Sequence, residues 1–184
     1  MKTKILVVLI LVLIVGVVGY VGFRSDKNDT RERNLLIIEQ IFLPALNTKD
    51  GVILSNYIDF PIPREWFVSY AFCEEDCPQV LEKEDFFEYL TTEASDVDIL
   101  KKALERISFE ELLQSGFSER AWQEGVCTHT SSATVSSETL IISYRGGEFV
   151  EDVEGGFCSE FSQTFYFDLE KKDTMKLVDI QFAG

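Results

Sequence analysis

The sequence predicts an α+β domain, helices packed on a curved antiparallel sheet, preceded by an N-terminal transmembrane helix. Three observations support this. Apolar residues recur at three- and four-residue spacing as far as Ile107. Beyond Trp122 the period shortens towards two, so helices come first and strands afterwards. Finally, Ile5 to Phe23 is a run of nineteen residues without a charge.

As a helix that run would be about 28 Å long, close to the hydrocarbon thickness of a bilayer. Lys2 and Lys4 precede it, and Arg24, Lys27, Arg31 and Arg33 follow, interleaved with acids. The expected organisation is a cytoplasmic tip at 1–4, a transmembrane signal-anchor at 5–23, a charged linker at 24–33 and an extracytoplasmic α+β domain at 34–184. A cleaved signal peptide, releasing a secreted domain, is the alternative. Its best cleavage position, after Gly19 with Val17 at −3, lacks the small-residue pair such sites favour.

Asp29-x-x-Glu32 has the form of a capping box, and Leu35, Ile38, Phe42 and Leu46 then mark one helix face. Pro44 should kink or end that helix, since it has no N–H to donate. A short second helix is expected over Asp50–Tyr57. Phe60-Pro-Ile-Pro63 then permits an edge strand at most, and Glu65–Phe72 reads as a strand. Glu84–Glu93 and the segment from Ser95 through Ile99, Leu100, Ala103, Leu104 and Ile107 read as helices. Ser108-x-x-Glu111 opens a further short one that Gly116 should terminate. Strands are expected over Ser132–Ser137, over Thr139–Tyr144 with Gly146-Gly147 ending it, and over Phe157–Leu169. Met175–Phe182 should pair with the last of these, Val178, Ile180 and Phe182 facing one way.

All four cysteines, Cys73, Cys77, Cys127 and Cys158, lie beyond the apolar run. An even number in an exported domain favours disulfides, and four allow three connectivities. Cys73–Cys77 with Cys127–Cys158 is the preferred pairing, crossed pairing the second. A zinc site using these cysteines with His129 is disfavoured because Cys127-x-His129 is shorter than the usual ligand spacing. His129, the single histidine, is expected at a strand or loop surface. Disulfides would place the domain in an oxidising space, the periplasm if the source is bacterial, with the N-terminus inside.

The chain has 17 bases and 32 acids, a net charge of −15; beyond residue 23 the balance is 15 against 32, or −17. Phosphate backbones are bound chiefly by Lys and Arg, so a nucleic-acid partner is excluded. Residues 74–98 hold ten acids against Lys83 alone. Most belong to solvated helix faces, but Glu74, Glu75 and Asp76 are candidates for recruiting a basic protein partner. Calcium at the same three residues would lack the usual loop pattern.

Asn56-Tyr-Ile-Asp-Phe-Pro-Ile62, Lys83-Glu-Asp-Phe-Phe-Glu-Tyr-Leu90 and the strand pair 161–182 together resemble the nuclear-transport-factor-2-like (cystatin-like) α+β cone. The resemblance implies a curved sheet wrapped by helices, with a pocket at the open end. That pocket serves as an enzyme site in some members and as a binding interface in others. The catalytic members place Asp and His in the cone, whereas this chain offers only His129. No catalytic, metal or cofactor residues are therefore assigned. The expected role is a membrane-anchored binding or protein-interaction module, a small ligand being one class of partner. The alternative is a small enzyme using buried carboxylates, with Asp59 and Asp179 as the acids in apolar surroundings. Trp66 and Trp122 complete the pocket candidates.

Overall fold

The computed structural model describes residues 31–63, 80–86, 95–151, 155–169 and 175–183. No helix among them is long and apolar enough to cross a membrane. The apolar run 5–23 lies outside the described residues, as do the strand expected at 65–72 and most of the helix expected at 84–93.

Helix α1 (31–48) buries Leu35, Ile38, Phe42 and Leu46, the face its spacing predicts. Pro44 does not end it. The helix widens instead into a π turn at Ile38–Phe42 and resumes as α-helix over Leu43–Thr48. The Leu43 N–H reaches back to the Ile38 carbonyl, so the wide turn absorbs the register slip just before the residue that cannot donate. Helix α2 (Gly51–Leu54) starts where the Asp50 carboxylate accepts from the Ile53 N–H at 3.1 Å. It is shorter than expected, continuing through Tyr57 only as turns. Strand β1 (Ile62–Pro63) pairs antiparallel with β2 (Val80–Leu81), the minimal edge pairing that Pro63 allows.

Helix α3 (Ser95–Leu104) buries Leu100, Ala103 and Leu104. Helix α4 (Phe109–Ser115) is capped by the Ser108 hydroxyl, which accepts from the Glu111 N–H at 3.3 Å. It ends at Gly116, whose φ of 80° is the left-handed cap conformation that costs glycine least.

Five strands follow as an antiparallel meander in sequential order: β3 (Phe117–Glu124), β4 (Cys127–Val135), β5 (Thr139–Val150), β6 (Phe157–Asp168) and β7 (Lys176–Ala183). The helices cover one face. Phe42 of α1 meets Phe167 of β6 edge to face at 5.6 Å, and Leu140, Ile142 and Phe165 complete the buried layer. The domain is thus α+β with an antiparallel sheet.

Four strand expectations change. Strand β4 starts at Cys127 and ends at Val135, whereas the expected strand covers Ser132–Ser137. Strand β3 carries no apolar alternation, because it is an edge strand that buries only Ser118; periodicity is blind to such a strand. Strand β5 does not stop at Gly146-Gly147 but runs to Val150, paired with β6 throughout. In β7 a bulge opposite Tyr166/Phe167 inserts Val178, so Leu177 and Ile180 both reach the core while Val178 stays exposed; Phe182, on the Ile180 face, is exposed near the strand's end. A bulge adds one residue and inverts the alternation beyond it, so Val178 cannot share a face with Ile180.

Candidate functional site

The inward positions are odd-numbered on β4 and even-numbered on the central part of β5, which turns His129 and Tyr144 towards α3. Both are buried, His129 at 5% exposure, and the His129 Nδ1 lies 2.7 Å from the Tyr144 hydroxyl. His129 is therefore a buried strand residue, not the surface residue expected. Its neighbours explain the burial. The Trp122 ring, directly across the β3–β4 ladder, stacks on it at 5.6 Å and 19°, and the Arg106 guanidinium stands over Trp122 at 4.9 Å.

Space for the His129–Tyr144 pair comes from Gly146. A Cβ there would lie 2.6 Å from the Tyr144 hydroxyl and closer still to His129 Nδ1. A glycine inside a strand marks a close approach, and here the approaching group is an imidazole–phenol pair.

Above this pair α3 and the sheet enclose a pocket of about 690 Å³. Asp98, Ile99 and Lys102, at one- and four-residue steps, project from one side of α3. His129, Tyr144 and Phe161 of the sheet form the opposite wall. Lys102 forms an ion pair with Glu124 from the end of β3, while its ammonium lies 5.9 Å from the Tyr144 ring centre. Glu124 also sits 4.0 Å from His129 Nε2. Lys102, Tyr144, His129 and Glu124 thus follow one another across three strands and a helix.

The electrostatics suit a charged rim over a neutral interior. Burial and the Lys102 charge push His129 below the ordinary imidazole value, outweighing the attraction of Glu124. Burial raises Tyr144. Burial also opposes the Lys102 charge, but hydrogen bonding to Glu124 and the charges of Tyr144 and Glu124 outweigh it, so its pKa rises. The Lys102 hydrogen bond holds the exposed Glu124 carboxyl below its usual value. At neutral pH the site therefore presents a neutral His–Tyr pair beneath a Lys–Glu ion pair.

The far end of the pocket is closed by the outer part of the β5–β6 hairpin. Pairing of β4 with β5 stops at Thr130↔Arg145, whereas β5 and β6 stay paired to Val150↔Phe157. Past Arg145 the hairpin leaves β4, and the Cys127–Cys158 disulfide ties it back, although β5 separates those two strands in the sheet. Phe149, opposite Cys158, reaches the pocket together with Gly147 and Glu148. The disulfide is one of the two bonds preferred from sequence, and it commits Cys127 so that no zinc site can use that thiolate.

Of the other sequence candidates, Trp122 backs His129 rather than lining the pocket. Its buried indole N–H makes no hydrogen bond of normal geometry, although its orientation still favours the Glu124 carboxylate slightly. Asp59 is exposed, its amide donating to the Leu177 carbonyl at 3.2 Å. Asp179 is half-buried beside Gln181, whose amide donates to it at 2.8 Å. Neither lines the pocket. Trp66, Cys73, Cys77, Glu74, Glu75 and Asp76 lie outside the described residues. Sequence inspection missed Lys102, Glu124, Tyr144 and Phe161. The available signal was Gly146-Gly147 between the apolar stretches 140–144 and 149–150, a mark of close approach as readily as of strand termination.

No protein-family model, curated protein or solved structure matches this chain. Its site is read from its own chemistry.

Proposed function

We propose that the chain is a membrane-anchored extracytoplasmic binding module, resembling the cone-shaped α+β domains, whose binding site is the pocket between α3 and the sheet. The observation that carries this is the pocket itself. About 690 Å³ falls within the range that takes small organic ligands, and aromatic walls with a few convergent polar groups are what such sites use. Tethering rests on the uncharged run 5–23, and the oxidising compartment on the Cys127–Cys158 disulfide. A basic protein partner at Glu74, Glu75 and Asp76 remains a further element of this proposal. The carboxylate-enzyme alternative required Asp59 and Asp179 buried together; Asp59 is exposed and neither lines the pocket, which removes its motive.

The test is ligand-detected NMR with a fragment library against the full-length protein in micelles. Fragments should bind the natural chain and lose binding when the pocket is filled by Ile99→Trp or its wall removed by Phe161→Ala. Fragments that bind these variants as well as the natural protein would overturn the assignment of the pocket.

A further inference from the structure

We infer that the pocket selects an organic cation, an ammonium-bearing molecule with an apolar body, seated against the Phe149 and Phe161 rings with its charge towards Glu148. This rests on the proposal that the pocket is a binding site, and it adds the ligand's chemical class.

Charge bookkeeping around the pocket gives the direction. Lys102 is paired with Glu124, and Asp98 with Lys49 at 3.5 Å, so those charges are largely cancelled by their own neighbours. Glu148 has no ion-pair partner among the described residues, which leaves one uncompensated negative charge on the wall. An anionic ligand would have to break the Lys102–Glu124 pair to gain a counter-charge and would still face Glu148. A cation meets Glu148 without breaking either ion pair.

The apolar wall points the same way. Tyr144 is buried against Phe161 with the Lys102 ammonium over its ring, so Phe161 and Phe149, which reaches the pocket from the hairpin, supply the aromatic surface left for a ligand. Aromatic faces carry negative quadrupole density and attract quaternary or protonated amines as well as apolar surface. The net charge of −15 adds a long-range field that concentrates cations near the surface and repels anions. His129, held neutral and hydrogen-bonded to Tyr144, adds no opposing charge beneath the rings.

Three probes of one shape separate the possibilities: phenethyltrimethylammonium, its neutral tert-butyl isostere and 3-phenylpropanoate, each titrated into full-length protein in micelles by isothermal calorimetry. The ammonium should bind tightest and the carboxylate weakest. Glu148→Gln should weaken the ammonium about threefold to fivefold, the range for an exposed charge contact, and leave the neutral isostere unchanged. Glu138→Gln, which removes the same charge from an exposed turn away from the pocket, should leave both unchanged. Phe161→Leu should weaken the ammonium more than the isostere. Equal binding of ammonium and isostere would overturn the cation inference while leaving the pocket as a binding site. Failure of all three probes to bind would overturn it too, and the fragment screen then decides separately whether the pocket binds anything.

Discussion

At the scale of single residues, the site depends on a strand glycine making room for two polar rings. Gly146→Ala would drive a methyl group into the Tyr144 hydroxyl and the His129 imidazole. The imidazole cannot simply swing away, since Trp122 stacks on it. The expected cost is about 1–3 kcal/mol, the range for overpacking a filled interior. A urea midpoint equal to that of the natural protein would show that the pair can move aside. His129 also makes a pH prediction with a definite sign. Its folded-state pKa lies below the ordinary 6.5, so the unfolded chain takes up a proton first as pH falls. The stability contributed by neutral His129 is then fully present above about 6.5 and is lost as pH drops through the folded pKa. The groups facing it are Tyr144, Lys102 and Glu124, with Trp122 against its ring. Because it is the single histidine, urea midpoints measured from about pH 8 to about pH 5 should show a decline that His129→Gln abolishes. The same decline in that variant would assign it to other groups.

At the scale of elements, the disulfide holds the hairpin end against the start of β4. Its two cysteines are 31 residues apart in sequence. In the chain-entropy account a loop of that size stabilises the fold by about 3–4 kcal/mol. The double variant Cys127→Ser, Cys158→Ser should lose about that much, by urea denaturation of the oxidised proteins. It should also weaken pocket ligands, since Phe149 and Glu148 lie on the hairpin that the bond restrains. Unchanged affinity would mean that strand pairing alone positions them. Elements of this kind also separate what was legible in sequence from what was not. Helices α1, α3 and α4 could be read because each buries one face, and α4 starts and stops with caps of ordinary chemistry. The inward side of β6 could be read because Phe165, Phe167 and Leu169 alternate without interruption. Strand β3 could not, having almost nothing to bury, nor could the bulge at Val178, which depends on its neighbour's register. The site was the least legible part. Lys102, Glu124, His129 and Tyr144 come from four different elements, and only the cross-strand register brings them together.

At the scale of the whole molecule, the acidic excess ought to act against compactness. Folding draws 32 acids and 17 bases closer together, and with a net charge of −15 the mean interaction is repulsive. Among the described residues, the ion pairs are few and lie on partly exposed side chains, so they offset little of that repulsion. Raising sodium chloride from about 0.01 M to about 0.15 M shortens the screening length from about 30 Å to about 8 Å, which mutes repulsion across the domain before it touches close pairs. Thermal stability should therefore rise with salt over that interval. Neutralising three exposed acids well separated in sequence, Glu82→Gln, Glu119→Gln and Glu138→Gln, should raise Tm at low salt by about 2–4 °C, as a gain near 1 kcal/mol does in a domain of this size. It should also flatten the salt dependence, because the substitutions and the salt remove the same repulsion. A triple variant with an unchanged Tm and the natural salt slope would mean that the acids are spaced widely enough to be harmless. The field around the domain would then be available for attracting cationic ligands without a cost in stability.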